Sequence, residues 1–275
     1  MPCSPGVLPM TVRWNAQAVW EQVVPVLPGF TVEVLPQIDS TNTELLRRAR
    51  AGQLEPTLLV AQRQSAGRGR LGRDWQSGTT SDAQAGALPG LTFSLGLVLH
   101  PLDWSGLSLA VGLSVVQSLH PALRLKWPND VWLDGRKLAG ILIETVAAGD
   151  VRFVVIGIGI NVLPRPADGL RTPPAALAEV LPLMDAPAAL RAVVFPLVQA
   201  IQRFEREGFA PLRSAFHARD ALYGREVSCT GGVSGTARGV DDAGALLVHT
   251  SCGLEKISSS EVSVRPTSVS ILRSV

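Results

Sequence analysis

A chain of 275 residues that is 46% hydrophobic and 17% charged can bury a full core, which excludes a disordered or fibrous polypeptide. Its length suits one sizeable domain with a small companion. A formal net charge of +2 is too balanced for a general nucleic-acid coat protein, so what matters is where the cations sit.

Met1–Met10 lacks a basic region followed by an apolar one, so no signal peptide is expected. Trp14–Val26 reads as a first helix with Trp20 and Val23 on its apolar face, and Thr31–Leu35 as a strand. Thr43–Ala51 reads as a helix. Thr41-x-x-Glu44 forms its capping box and Gly52 sits at its C-terminal cap. Thr57–Gln62 is a short apolar strand. Residues 63–90 are rich in Gly, Ser, Thr and Ala without periodicity, as in a functional loop.

Leu91–Leu99 reads as a buried strand, and Ser105–Leu119 as a helix through Leu107, Val111 and Val115. Leu123–Lys126, Val131–Leu133 and Lys137–Thr145 read as strands, the last two joined by an Asp134-Gly135 hairpin turn. Val151–Leu163 is an apolar strand too short to cross a bilayer. After a loop at Pro164–Pro174, helices are expected at 175–183 and 187–207, the second capped by Asp185. From Arg225 short β-rich runs (Glu226–Cys229, Gly235–Val240, Ala245–His249, Val262–Val264) predict a small β-barrel, with a boundary near Tyr223. The strand and helix mix before it predicts an α+β domain. Cys3, Cys229 and Cys252 form no CxxC pair and stand near no His cluster, so neither zinc nor disulfides are expected and a reducing cytoplasm fits.

Gly67-Arg68-Gly69-Arg70-Leu71-Gly72-Arg73 matches G-x-G-x-x-G. A dinucleotide site needs a helix directly after the glycines and an acid about 20 residues on. Here Asp74–Thr80 is poor helix material and residues 81–95 offer only Asp82, inside the loop, so that reading fails. The informative feature is Arg68, Arg70 and Arg73 between glycines. Three guanidinium groups this close repel one another unless an anion lies between them. Glycine lets backbone N–H groups approach that anion. A solvated basic loop, or single-stranded nucleic-acid binding with Trp75 as a stacking platform, remains an alternative at this point.

Four companion segments follow or precede the loop. Lys126-Trp127-Pro128-Asn129-Asp130 gathers a cation, an amide and a carboxylate, although Asn-Asp is also ordinary turn chemistry. Lys137–Leu142 with Glu144 holds Gly140 inside an apolar strand, a sign of close backbone approach. Gly157–Asn161 ends an apolar strand on an amide, which tight packing against a helix would equally explain. Asp39-Ser40-Thr41-Asn42 serves as a helix cap and can still bind a polar ligand.

In this order the segments resemble the signatures of the bacterial biotin protein ligases, from about Asp39 to Val264. The resemblance implies a catalytic domain like that of class II aminoacyl-tRNA synthetases over 1–222 and an SH3-like barrel over 223–275. It implies biotin and Mg²⁺-ATP as substrates and a lysine of a biotin carboxyl carrier protein as acceptor, with no membrane or nucleic-acid partner and room for a homodimer. By position, Ser40, Thr41 and Gln64 correspond to residues holding the biotin ureido ring, and Gly140 and Leu142 to walls of its pocket. Arg68 corresponds to the clamp on the biotin carboxylate and phosphate. Gly67 and Arg70 lie in the ligand-binding loop, and Lys137 lies near the acyl phosphate. Trp75, Lys126, Asn129, Asp130 and Asn161 fall near the nucleotide. Catalysis is thereby assigned to Arg68, Arg70 and Lys137, and no protein-held metal is implied. Two departures stand out: Leu71 occupies a place where arginine is common, and Gln76–Gly90 is longer than usual.

The chemistry agrees with these residue types. A carboxylate attacking the α-phosphate of ATP brings two anions together, which costs several kcal/mol without cations in a water-poor site. Lipoate ligation shares this chemistry, and a non-catalytic binder of biotin or its adenylate is a further alternative. An octanoyl transferase would need a Cys nucleophile, which the three cysteine positions do not supply. Only about 38 residues precede Asp39, so a monofunctional enzyme without a winged-helix domain is expected. The loop is expected to lack firm order until an anion joins its arginines.

Overall fold

The computed structural model describes residues 12–76, 88–165, 174–258 and 264–266. Cys3 and most of the Gln76–Gly90 insertion lie outside them. The first helix is α1 (Ala16–Val23), shorter than its apolar spacing suggests because Pro25 follows. It buries Val19 and Val23, whereas Trp20 is exposed rather than packed. The parallel pair β1 (Thr31–Ile38) and β2 (Thr57–Gln64) is connected by α2 (Thr41–Arg50), the crossover a parallel pair requires. Gly52, at φ +86°, ends α2 as expected.

The antiparallel part of the sheet comprises β3 (Gly90–Val98), β4 (Arg124–Lys126), β5 (Asp130–Leu133), β6 (Arg136–Ala148) and β7 (Val151–Asn161). Strand order is β1-β2-β3-β7-β6-β5-β4. The turn between β5 and β6 has Asp134 and Gly135 at positive φ, as its sequence demands. This is a mixed α/β fold.

Strand alternation assigns the two faces. Val154, Ile156, Ile158 and Ile160 of β7 enter the main core with α1, α3 (Leu107–Leu119) and α4 (Ala186–Glu207). Phe153 and Val155 point the other way, against Leu45, Leu46 and Ala49 of α2. Asp185 caps α4 by accepting the Ala188 N–H at 2.7 Å. The helix expected at 175–183 is only a 3₁₀ turn over Leu177–Glu179. Pro174 and Pro182 bracket it too closely for an α-helix, and its backbone is engaged elsewhere.

After the short α5 (Arg213–His217), an antiparallel sheet contains β8 (Glu226–Cys229), β9 (Ser234–Val240), β10 (Leu246–Thr250), β11 (Gly253–Ile257) and β12 (Val264–Pro266). Its order is β11-β10-β9-β8-β12. β11 escaped the sequence reading because Glu255 and Lys256 interrupt any apolar alternation. The two sheets share one core, which Val227, Ala237, Val240, Leu246 and Val248 join. Trp127, buried, donates its indole N–H to the Gly244 carbonyl at 2.9 Å, and Gly244 itself packs on Gly106. Among the described residues no helix is long and apolar enough to cross a membrane.

Trp127→Phe strands the buried Gly244 carbonyl. The expected cost is about 1–3 kcal/mol, read as a lower urea midpoint at unchanged m-value.

Candidate active site

The strand register lays out the floor of a cleft. Residues directly opposite in antiparallel strands share a face. Thr92, Gly159 and Gly140 form one row across β3, β7 and β6. Ser94, Gly157 and Leu142 form the next, and Gly96, Val155 and Glu144 the third. On β7 the side chains of this face shrink from Phe153 and Val155 to Gly157 and Gly159, which lets Asn42, at the start of α2, and Trp75 lie directly on the sheet. A methyl on Gly157 would lie 2.1 Å from Asn42 Oδ1, and one on Gly159 would lie 2.3 Å from the Trp75 ring. The cleft above has about 450 Å³ of empty space, part of it open solvent.

At one end stands the N-terminus of α2. Ser40, not Thr41, is its cap: the Ser40 hydroxyl accepts the Thr43 N–H at 3.4 Å. Thr41 is unavailable because Gln64 takes it. Gln64 Oε1 accepts the Thr41 N–H at 2.7 Å and its hydroxyl at 3.1 Å. Buried Ser94 lies 2.6 Å from both Thr41 Oγ1 and Asn42 Oδ1, and the Asn42 amide donates to the Leu142 carbonyl at 3.2 Å. The side chains that line this end are uncharged and paired, with Leu142 as an apolar wall, and the Asn42 amide also reaches Glu144 Oε2 at 2.9 Å.

Cations occupy the other end. The loop closes through Gly69 N–H to Arg73 O at 2.7 Å and Trp75 N–H to Gly67 O at 2.9 Å. Gly67 leaves no room for a side chain, since a methyl would sit 2.4 Å from Trp75 O. Arg68 Nη2 donates to both carboxylate oxygens of Glu144, at 3.0 and 2.8 Å. Arg70 donates to Asn129 Oδ1 at 3.4 Å, and Asn129 fastens β6 through the Ile141 carbonyl at 2.8 Å. Burial lowers the Arg70 pKa, as does Arg73, while Asp130 opposes both. Lys137 pairs with Asp130 at 2.7 Å and lies 5.9 Å from the Trp75 ring centroid. Leu71, at φ +59° and well exposed, forms the loop tip.

Most residues singled out from the sequence therefore converge here: Ser40, Thr41, Gln64, Arg68, Arg70, Trp75, Asn129, Lys137, Gly140 and Leu142 line the cleft, with Asp130 behind Lys137. Two lie beside it. Lys126 sits over the Trp132 ring at 4.8 Å. Asn161 is buried, donating its amide to the Ala175 and Lys137 carbonyls at 3.1 and 3.3 Å, so it braces the strand that carries Lys137. Arg68 and Arg70 thus have acceptors within the chain, Glu144 and Asn129.

Sequence reasoning missed Ser94 and Arg165, and gave Asn42 no role of its own within the Asp39–Asn42 segment. A hydroxyl within the apolar run Leu91–Leu99 was the available signal for Ser94, since buried polar groups require partners. Arg165 stacks 5.8 Å from the Trp75 ring centroid and donates to Gln76 O at 2.9 Å, and burial lowers its pKa.

Residues 34–83 and 91–161 match the biotin/lipoate A/B protein ligase family, and residues 223–265 match the biotin protein ligase C-terminal domain. The biotin–[acetyl-CoA-carboxylase] ligase of Paracoccus denitrificans is 34% identical over 248 residues, covering 83% of this chain and 98% of that one. The chain belongs to the biotin protein ligase family. Another relative in that family, the bifunctional ligase/repressor BirA of Escherichia coli, is 36% identical over 256 residues, 89% of this chain and 77% of its own. The biotin protein ligase of Aquifex aeolicus, solved with biotin and ATP, superposes with a TM-score of 0.72 at 30% identity, covering 86% of this chain and 99% of that one.

Gly157→Ala pushes a methyl into Asn42, which hydrogen bonds hold in place. An expected loss of about 1–3 kcal/mol should appear as a lower thermal midpoint.

Proposed function

We propose that this biotin protein ligase activates biotin with ATP to biotinyl-5′-AMP and transfers the biotinyl group to a lysine of a biotin carboxyl carrier protein. The observation that carries the reading is the polarity gradient along one cleft: neutral hydrogen-bonding groups at the α2 end, and Arg68, Arg70 and Lys137 at the other. Biotin has the same gradient, from ureido ring to carboxylate.

The ureido ring sits against Ser40, Thr41 and Gln64. Thr41 occupies the Gln64 carbonyl, which turns the Gln64 amide N–H₂ toward a ligand acceptor. The thioether ring packs against Leu142 and beside Trp75. Arg68 then holds the carboxylate beside the α-phosphate. A carboxylate oxygen attacks the α-phosphorus, the bond to the β-phosphate bridging oxygen breaks, and pyrophosphate leaves. Arg68, Arg70 and Lys137 offset the charge concentrated at that step. Asp130 fixes Lys137, and Trp75 offers an aromatic surface to the nucleotide. Lys126 and Asn161 act from behind, through Trp132 and the Lys137 backbone. In the second step the neutral lysine amine attacks the acyl carbon, the acyl–phosphate bond breaks, and AMP leaves.

Mg²⁺ fits as an ion carried by the triphosphate. Among the described residues no three His, Cys, Asp or Glu side chains gather as a resident site, and Mg²⁺ with nucleotides keeps phosphate and water ligands. It would neutralise phosphate charge, with Asp130 the nearest carboxylate to the cleft lysine.

The reading divides the chain into a catalytic unit over 1–222, akin to class II aminoacyl-tRNA synthetases, and an SH3-like barrel over 223–275. The mixed sheet and the short antiparallel strands after Arg225 support it. Cytoplasmic residence is supported by Cys229 and Cys252, which form no disulfide.

With ATP labelled at the α-phosphate, biotin should yield a labelled adenylate and lipoate should not. Label on lipoate alone would replace this reading with lipoate ligation. Arg68→Ala should release the adenylate about 10- to 100-fold faster, the worth of a charge-assisted pair. Unchanged release would remove Arg68 from the clamp.

A further inference from the structure

The clamp arginine is already engaged. Both oxygens of Glu144 bind the same nitrogen, Arg68 Nη2, at 3.0 and 2.8 Å. Glu144 is two residues beyond Leu142 on the same face of β6, so it stands just past the cleft wall. It lines the neighbouring cavity, between the loop and the start of α3, and does not line the cleft itself, whereas Arg68 borders both. The pair therefore ties the guanidinium to a carboxylate of the neighbouring cavity. Glu144 is in turn oriented from the uncharged end: Asn42 Nδ2 donates to its Oε2 at 2.9 Å, and Asn42 Oδ1 lies 2.6 Å from the Ser94 hydroxyl.

We infer that Glu144 is a stand-in anion: it holds Arg68 while the cleft is empty and yields it to the ligand carboxylate or phosphate. This rests on the biotin reading above. An anionic ligand must compete with Glu144 for the guanidinium, so its apparent affinity is reduced by the fraction of Arg68 engaged. A ligand without negative charge gains nothing from Arg68 and feels no competition. Glu144 thus acts through Arg68 as a positioning residue. Arg68 and Glu144 side chains are 43% and 26% exposed, so the competition is modest and weakens with salt.

The test is calorimetric titration of the full chain, at low and high salt, with biotin and with biotin methyl ester, whose carboxylate is masked. Glu144→Gln keeps an oxygen for Asn42 but removes the charge. It should bind biotin about two- to fivefold tighter than the unaltered protein at low salt, with the ester unchanged. Glu144→Asp retains the charge and should stay near the unaltered protein for both ligands. Weaker biotin binding in Glu144→Gln, or an equal gain for the ester, overturns the inference. If the unaltered protein binds neither ligand, the biotin reading fails and this one with it. If it binds both but Glu144→Gln does not discriminate, only the stand-in role is lost.

Discussion

The site depends on a stretch of sheet where side chains are withheld. Gly140 lies opposite Gly159, and Gly157 opposite Leu142, so on this face of β6 and β7 the Asn42 and Trp75 side chains lie directly on backbone beside the N-terminus of α2. The alternate residues, Ile156, Ile158 and Ile160, fill the core beneath. A strand with period two can thus be fully apolar below and free of its own side chains above. A slip of one residue would bury the glycines and raise isoleucines into the cleft, so packing of the main core fixes the register of the site.

Charge is handled by the same economy of position. Each cation facing the cleft comes with its own acceptor: Arg68 with Glu144, Arg70 with Asn129, Lys137 with Asp130. These acceptors are on β6, at the start of β5 or just before it, all within the hairpin that walls the cleft. Unpaired guanidinium groups held together in a half-buried site would repel one another. Local pairing lets a chain of net charge +2 sustain a cationic end to the cleft. It also means that anion binding is an exchange of partners rather than the filling of a naked field.

Much of this was legible in the sequence, and the limits are physical. The apolar run Val151–Leu163, the Asp134-Gly135 turn and the Asp185 cap depend on local rules and emerged close to their observed places. The glycine–arginine loop pointed to an anion, but only the following segments distinguished it from a dinucleotide loop. Ser40 displaced Thr41 as cap because Gln64, 23 residues on, claims Thr41. Glu144 as the partner of Arg68, 76 residues away, is likewise set by sheet register. Ala175, two residues before the 3₁₀ turn at Leu177–Glu179, supplies a backbone carbonyl that Asn161 uses, a role that helical spacing hides. Tertiary pairing, not propensity, decided each of these.

A crystal structure with a non-hydrolysable biotinyl-adenylate analogue tests the account most directly. It should place the ureido ring at Ser40, Thr41 and Gln64, the thioether ring against Leu142, and the phosphate against Arg68 turned away from Glu144. An analogue bound in the reverse sense, or outside this cleft with the Arg68–Glu144 pair intact, would contradict it.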